Sequence, residues 1–247
     1  MTDSSARLLL TRPEAEARDF AAAIEAAWGG RFELAFLPLT EIVHETAPVA
    51  LEGIQGLLFT SANGVRAFAE ANPRRELPAL CVGPGTAEAA RRAGFSAESA
   101  DGDAGALARL AANAWMPGAG AFLHVRGRDS AGDLVAALAP EGIEVREVVL
   151  YDARAISGVP AEMASVLEAG AFDAVLFFSP RAGKLFAAFA AESAAAGRGW
   201  ALKQAAALCI SRAVAAQVQG LGFGGVRVAA RPDRAGMLAG LGQFVRG

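Results

Sequence analysis

The sequence predicts an α/β protein made of two similar units, each built around a parallel sheet. Short apolar runs alternate with alanine-rich segments of helical period, the pattern of strands that feed helices. The chain also repeats several short patterns in the same order. Its 247 residues, of which 53% are hydrophobic and 20% charged, suffice for one large domain or two modest ones and are too apolar for a disordered chain.

The elements follow one another along the chain. Residues 7–10 read as a strand, 13–28 as a helix begun by proline and ended by Gly29-Gly30, and 32–39 as the next strand. The further predicted strands are 56–60, 79–82, 122–125, 145–151, 174–178, 207–210 and 225–228. Helices are predicted between most of them, and a helical patch at 161–167.

The internal repeat constrains the architecture more than any single motif. LFTSANGVRAF, residues 58–68, aligns with FFSPRAGKLF, residues 177–186. That alignment pairs Ser61 with Ser179. Further matches keep the same order along the chain: Cys81 with Cys209, Gly94-Phe95 with Gly222-Phe223, and Arg12 with Arg126. Two α/β units of roughly 100 to 130 residues follow, a usual domain size. The repeat alone would divide the chain near residue 120, and the glycine and proline in 151–172 indicate a linker or hinge there.

Charge and hydropathy exclude several classes of partner. Lys and Arg number 23 against 26 Asp and Glu, a net charge of −3, which provides no basic surface for nucleic acid. No apolar segment approaches the roughly 18 residues that span a bilayer, and the N-terminal apolar run is too short for a signal-peptide core. We therefore expect no nucleic acid, no membrane and a cytoplasmic location.

The scarcity of cysteine and histidine excludes several kinds of site. Cys81 and Cys209 belong to no metal-binding spacing and read as core residues. His124 lies inside a strand, where we expect local hydrogen bonds to satisfy it. The glycine motifs at 83–86 and 222–225 fit neither a Walker nor a dinucleotide fingerprint, and no GxSxG elbow is present. We predict no metal and no cofactor.

Polar turns follow several of the predicted strands. They are Thr60-Ser61-Ala62-Asn63-Gly64, Gly83-Pro84-Gly85-Thr86, Arg126-Gly127-Arg128-Asp129-Ser130, Ser179-Pro180-Arg181-Ala182-Gly183 and Ser211-Arg212-Ala213. The carboxyl ends of parallel strands and the helix starts beside them are favourable places for anions. Serine, threonine and asparagine at these places are also ordinary helix caps. Arginines there are either carboxylate ligands or solvated, and the single tyrosine, Tyr151, either packs or donates a proton.

These residues together resemble the uroporphyrinogen-III synthase family over nearly the whole chain. The matching segments are LLLTRP at 8–13, FTSANGV at 59–65, CVGPGTAEAA at 81–90, HVRGRDSAGDL at 124–134, VVLYDA at 148–153 and FFSPRAG at 177–183. The resemblance implies two similar α/β domains joined by a two-stranded antiparallel linker, with a ligand cleft between them. Residues 1–37 and 155–247 would form domain one, 42–147 domain two, and 38–41 and 148–154 the linker strands.

The resemblance also implies the chemistry. The family closes hydroxymethylbilane, a linear tetrapyrrole with eight carboxylates, into uroporphyrinogen III, with inversion of the terminal ring and loss of water. Positioning and electrostatics supply such catalysis. Tyr151 matches the family's linker tyrosine and is the expected catalytic residue. The residues that match its substrate-binding turns, or add charge beside them, are Arg12, Thr60, Ser61, Asn63, Gly83, Thr86, Arg126, Arg128, Ser179, Arg181 and Ser211.

One departure and two alternatives accompany this interpretation. Where relatives often carry glycine followed by threonine, this chain has Ser211-Arg212-Ala213-Val214, which puts a threonine contact there in question. A noncatalytic tetrapyrrole-binding or regulatory module with the same fold is the alternative function. A solute-binding protein is disfavoured because no signal peptide is found. A monomer is the family expectation, and the resemblance leaves open a transient contact with the preceding deaminase.

Overall fold

The computed structural model describes residues 5–45, 48–129 and 132–245, in which strands and helices alternate. The strands are β1 (Ala6–Leu10), β2 (Phe32–Phe36), β3 (Thr40–His44), β4 (Ile54–Phe59), β5 (Ala79–Cys81), β6 (Ala97–Ser99), β7 (Ala121–Gly127), β8 (Val145–Ala155), β9 (Ala174–Phe177), β10 (Ala206–Cys209) and β11 (Gly225–Val228). The helices are α1 (Glu14–Trp28), α2 (Ala62–Ala71), α3 (Pro84–Arg92), α4 (Ala104–Ala114), α5 (Leu134–Leu138), α6 (Ala161–Glu168), α7 (Pro180–Ala195), α8 (Arg212–Val218) and α9 (Arg234–Gly240). Short 3-10 turns lie at Ala139–Glu141, Leu202–Gln204, Gln219–Leu221 and Leu241–Phe244. The predicted α/β class is confirmed.

The chain divides into two compact units. Unit 1 contains the residues up to Glu41 and those from Arg154 onward, and unit 2 contains Ile42–Ala153. Residues 38–41 and Arg154 therefore group with unit 1 and 148–153 with unit 2, whereas the family resemblance implies separate linker strands at 38–41 and 148–154. β3 and β8 are the strands in which the chain passes from one unit to the other.

Unit 1 is built on a five-stranded parallel sheet in the order β11-β10-β9-β1-β2. All four residues of β9 are buried, as expected for a central parallel strand covered on both faces. Leu9 and Val175 belong to the core on one face, and Leu8 and Leu176 to the core on the other. The sheet is thus the middle of three layers.

Unit 2 contains a six-stranded sheet in the order β3-β8-β7-β4-β5-β6, of which the last five strands are parallel. β3 runs antiparallel to β8. The backbone N–H of Ile156 donates to the carbonyl of Leu39 at 3.2 Å, and that of Glu45 to the carbonyl of Leu150 at 2.8 Å. Residue numbers therefore rise along β3 where they fall along β8, as in an antiparallel pair.

The predicted strand at 32–39 is wrong at its end. β2 stops at Phe36, and a separate strand, β3, begins at Thr40. Pro38 lies between them and has no backbone N–H to donate to a ladder. The apolar pattern continues through the proline, which is why it suggested one strand.

Equivalent strands occupy equivalent places in the two sheets. In unit 2 the chain forms β4, β5, β6, β7 and β8 in turn, and in unit 1 the same places hold β9, β10, β11, β1 and β2. Unit 1 is thus assembled from two separate segments, which are adjoining in the sheet at β9 and β1. The residues paired by the sequence repeat lie at matching positions: Ser61 and Ser179 follow β4 and β9, and Cys81 and Cys209 end β5 and β10.

None of the described helices is long and apolar enough to cross a bilayer.

Candidate functional site

Eight of the predicted site residues lie at the carboxyl edge of the sheet in unit 2. Across the sheet they are Tyr151 on β8, Arg126 and Arg128 at and after the end of β7, Thr60 and Ser61 after β4, Asn63 in the first turn of α2, and Gly83 and Thr86 at the start of α3. Parallel strands end at the same edge, so separated segments form one row. Ser130, from the same predicted turns, is outside the described residues.

The turn after β4 uses its serine as a helix cap. The Ser61 hydroxyl oxygen accepts the backbone N–H of Asn63 at 3.1 Å. The Asn63 side chain is buried, and its Oδ1 accepts a hydrogen bond from Arg66 at 3.0 Å. A Cβ at Gly64 would lie 2.9 Å from the carbonyl oxygen of Val125, so this helix start packs closely against β7. The Ser61 hydroxyl oxygen is therefore already engaged in stabilising the helix.

The start of α3 offers a more open arrangement. Among the described residues, no side chain caps this helix, whose N-cap is Gly83. A Cβ at Gly83 or at Gly85 would have no neighbour within 4 Å. Thr86 is buried, and its backbone N–H donates to the Gly83 carbonyl at 3.1 Å. Backbone can be closely approached here, at a helix end that favours negative charge.

The arginines beside β7 are paired with carboxylates of the protein. Arg126 Nη1 donates to Glu147 at 3.2 Å, and its Nε is buried with no hydrogen-bond partner in the described part of the chain. Arg128 donates to Glu45, which raises the pKa of the guanidinium, and its Nε lies 3.9 Å from Asp152. These two charges are therefore partly neutralised. A substrate carboxylate must compete with the protein's own carboxylates for them.

Tyr151 is half-buried and lies opposite Gly127 in the sheet. The backbone carbonyl of Tyr151 accepts the N–H of Arg128 at 2.9 Å. A Cβ at residue 127 would lie 2.7 Å from the Tyr151 ring, so the glycine makes room for the ring. The register of β7 and β8 shifts between Arg126 and Gly127, which sets the side of the sheet on which each following residue lies.

A polar group that the sequence analysis did not assemble connects this edge to the interior. His124 is fully buried, and its Nδ1 lies 3.1 Å from Glu147 Oε1. Its Nε2 lies 3.4 Å from Thr60 Oγ1. The expectation that local contacts satisfy His124 is confirmed. Glu147 was missed because only the register, which sets it directly opposite His124, reveals the contact.

Unit 1 carries the remaining four predicted residues at the carboxyl edge of its own sheet. Ser179 and Ser211 cap α7 and α8, accepting backbone N–H groups at 3.1 and 3.4 Å. Arg181 is exposed in the first turn of α7. Arg12 follows β1, and its guanidinium lies over the ring of Phe178, 4.5 Å from the centroid. The row therefore combines two capped helix starts with two cations.

Neither of two cavities in unit 1 contains a predicted site residue. They measure about 400 and 350 Å³ and are lined by residues near the amino ends of the strands, including Asp173 and Gln204 in both. This is the opposite edge of the sheet from the polar turns. These two cavities are therefore separate from the predicted site residues of unit 1.

The cysteines are core residues in both units. Burial raises the pKa of the Cys81 and Cys209 thiols to about 12, which keeps them protonated at neutral pH. Residues 5–45, 48–129 and 132–245 contain no group of three or more His, Cys, Asp or Glu side chains that could hold a metal ion.

Comparison with known proteins places this architecture in a family. No curated protein matches the chain. A uroporphyrinogen-III synthetase from Helicobacter pylori shares the fold, with a TM-score of 0.63 and 14% identity over 98% of this chain and 100% of that one. A mutant uroporphyrinogen III synthase from the extremely thermophilic bacterium Thermus thermophilus is 21% identical over 97% of this chain and 98% of that one, with a TM-score of 0.49. The family described as uroporphyrinogen-III synthase HemD matches residues 19–239, most of the chain, and the chain therefore belongs to the uroporphyrinogen-III synthase family.

Proposed function

We propose that this protein is the cyclase that its family name describes. It closes hydroxymethylbilane, inverts the terminal ring and releases water to form uroporphyrinogen III, a step of haem biosynthesis. The observation that carries the proposal is the family match over residues 19–239. The polar turns at the carboxyl edges of both sheets agree with a substrate that carries many carboxylates.

Carboxylate binding by this chain relies on local donors rather than on overall charge. The net charge of −3 gives no general attraction for a polyanion. The open backbone at Gly83 and Gly85 supplies N–H donors and the positive end of α3. Thr60, Asn63 and Thr86 add polar groups beside them in unit 2. Arg12, Ser179, Arg181 and Ser211 form the corresponding donor row in unit 1.

Positioning and proton donation together account for the reaction. Loss of the terminal hydroxyl leaves an electrophilic azafulvene, which the substituted carbon of the last ring attacks. We assign Tyr151 the proton that accompanies departure of that hydroxyl, because its phenol lies on β8 in the same edge as the binding residues. The spiro intermediate then fragments and recloses with the ring inverted, and binding of the carboxylates holds the chain in the productive fold.

The finer expectations belong to the same proposal. We assign the protein a cytoplasmic location, a monomeric state and no cofactor. Its substrate is a small molecule that closes spontaneously to the uninverted isomer. A transient contact with the deaminase that makes hydroxymethylbilane would shorten its exposure to solvent.

A coupled assay tests the activity. A deaminase generates hydroxymethylbilane in the presence or absence of this protein, and the oxidised products are separated into isomers I and III. Predominant isomer III is expected, with isomer I alone in the reaction without the protein. Isomer I at the uncatalysed rate in both reactions would refute the proposal. If product still binds in that case, the noncatalytic tetrapyrrole-binding module becomes the better description.

A further inference from the structure

His124 occupies a place in unit 2 that its fold does not require to be polar. In unit 2, His124 on β7 is paired with Leu58 on β4. In unit 1, the equivalent strands pair Leu10 on β1 with Leu176 on β9, so Leu10 occupies the place of His124. The same correspondence sets Phe36 at the place of Glu147 and Phe178 at the place of Thr60. Unit 1 fills all three places with apolar side chains. Burying an imidazole is costlier than burying a leucine, so the polar group in unit 2 has a role other than packing.

The partners of His124 determine where its proton lies. Burial lowers the pKa of His124, while the Glu147 carboxylate and, more weakly, Asp133 at the start of α5 raise it and Arg126 lowers it. The ring is therefore neutral at neutral pH, with one donor and one acceptor nitrogen. A carboxylate only accepts, so Nδ1 carries the proton toward Glu147. Nε2 then accepts the proton of the Thr60 hydroxyl.

This arrangement turns the Thr60 proton away from a ligand. With its proton on the Nε2 side, the hydroxyl presents lone pairs to the edge of the sheet, and these repel a carboxylate. If Nε2 is protonated, it donates to Thr60 Oγ1, and the hydroxyl proton is free to turn outward. The imidazolium then lies between the Thr60 oxygen and the Glu147 carboxylate, which stabilises its charge.

We propose that His124 is a positioning residue that couples binding of a substrate carboxylate at Thr60 to the uptake of one proton. The proton comes from solvent and forms the Nε2–H bond. The Thr60 hydroxyl rotates and donates to the carboxylate, and no other bond forms or breaks. The proposal rests on the function proposed above and specifies how one of its binding residues works.

The first test needs no substrate. The chain contains two histidines, so nitrogen-15 correlation spectra of the imidazoles show two ring systems, which the His44→Gln variant assigns. At pH 7.5 the His124 ring is expected as the Nδ1–H tautomer. Thr60→Val should shift the Nε2 signal of His124 and leave His44 unchanged. An Nε2–H tautomer, or no response to Thr60→Val, would overturn the proposal.

The second test measures the proton directly. Anaerobic calorimetry with uroporphyrinogen III in two buffers of different ionisation enthalpy gives the number of protons bound on complex formation. Close to one proton is expected at pH 7.5 for the unsubstituted protein. His44→Gln tests the second histidine, which pairs with Glu70 at a distance of 2.5 Å and lies across from Tyr151 in the sheet, and it should keep this uptake. His124→Asn should remove this uptake. Equal uptake in His124→Asn and the unsubstituted protein would contradict the coupling.

Two substitutions of His124 separate its two contacts. The amide of His124→Asn reaches the place of Nδ1 and keeps Glu147, whereas that of His124→Gln reaches the place of Nε2 and keeps Thr60. His124→Asn loses the hydrogen bond from the protonated ring to Thr60, so its KM should rise about tenfold, with kcat within about twofold of the unsubstituted protein. His124→Gln keeps a donor to Thr60, and its KM should stay within about threefold. KM of the unsubstituted protein should rise as the pH rises above neutral, because proton uptake becomes costlier as the proton concentration falls, and this rise should disappear in His124→Asn.

Further variants distinguish a loss of folding from a loss of proton coupling. If either His124 variant melts well below the unsubstituted protein, Thr60→Ser and Thr60→Val replace the pair, because serine keeps the hydroxyl and valine keeps the shape. The threonine and serine forms should then take up the proton and the valine form should not. Equal uptake by the serine and valine forms would overturn the proposal. A chain that binds product with proton uptake and yields only isomer I would refute the cyclase and leave the coupling intact.

Discussion

Unit 1 and unit 2 each contain three phenylalanines at equivalent positions of the fold, and different side chains pack over them. In unit 2 the three rings contact one another with centroids 5.8 to 6.1 Å apart, and in unit 1 with centroids 5.1 to 6.1 Å apart. The triads are Phe59, Phe68 and Phe95 in unit 2, and Phe177, Phe186 and Phe223 in unit 1. Each joins a central strand, the helix after it and the loop before an edge strand. This contact set recurs although the chain order differs.

Different kinds of side chain pack over the two triads, a cation in unit 2 and an aromatic ring in unit 1. In unit 2 the Arg75 guanidinium lies over Phe95, 4.7 Å from the centroid, and donates to the carbonyls of Ala69 and Ala93 at 3.0 and 2.8 Å. It thereby satisfies carbonyls near the ends of α2 and α3. In unit 1 Trp200 packs against Phe186 with centroids 4.9 Å apart, and its Nε1 is buried without a partner in the described residues.

The comparison teaches which contacts specify the fold. Unit 2 is one continuous segment and unit 1 is made from two, yet the strand order and the triad agree. Shared apolar contacts therefore define the architecture. The polar groups differ: Thr60, His124 and Glu147 in unit 2 stand where unit 1 has apolar side chains. The two units therefore differ at positions that their shared strand order does not fix.

The largest expected effect comes from the triads themselves. Phe68→Ala and Phe186→Ala should each lower the free energy of unfolding by about 3 to 5 kcal/mol, because both rings are fully buried. Hydrogen exchange read separately for β4 and β9 should show the loss in the substituted unit. Phe36→Ala is the control, since that ring is 40% exposed. A loss below about 1 kcal/mol in only one unit would break the equivalence of the triads.

The next effect tests whether the chemistry is confined to unit 2. Tyr151→Phe should lower kcat about a hundredfold, close to 2.7 kcal/mol of transition-state stabilisation, with KM nearly unchanged. The substitution removes one oxygen and keeps the ring beside Gly127, and thermal denaturation checks that the variant is folded. Steady-state kinetics in the coupled assay provide the measurement. Unchanged turnover would remove the role assigned to this phenol.

A smaller effect on stability distinguishes Arg75 from Trp200, the side chains that pack over the two triads. Arg75→Ala should cost about 2 kcal/mol, because it leaves carbonyls at the ends of two helices unsatisfied. Arg75→Lys should recover little of this loss, since one ammonium cannot reach carbonyls on both helices. Trp200→Phe should cost less than about 1 kcal/mol, because it removes a buried N–H that lacks a partner. Thermal denaturation checks all three, and equal losses would show that the covers are equivalent after all.

The smallest effect separates helix capping from binding. Ser61→Ala and Ser179→Ala should each lower stability by about 1 kcal/mol, because both hydroxyl oxygens cap helices at 3.1 Å. Ser61→Asp should keep the cap and raise KM, since a carboxylate at this edge repels the substrate. Urea denaturation and coupled kinetics read the two effects. A lower KM for Ser61→Asp would exclude an anion beside α2.

Local patterns were sufficient for most of the elements and for the repeat. Buried runs such as 174–178 and the Ser-Pro start of α7 carry their signals within a few residues. The predicted end of the strand at 32–39 was wrong because an apolar run says little about where strand pairing stops. Pro38, which has no backbone N–H to donate, ends the strand before it. Arg75 was not singled out, because its partners are backbone carbonyls, and no side-chain pattern reveals those.

The sequence by itself determined the α/β class, the twofold repeat and the polar turns at strand ends, because each depends on periodicity or on residues close together in the chain. Only the tertiary structure decided which polar groups meet. His124, Thr60 and Glu147 come from three strands and contact one another through the register of the sheet. It also decided that Ser61 and Ser179 serve as caps and that Arg126 and Arg128 are already paired, since both facts depend on distances between atoms that the amino-acid order does not contain.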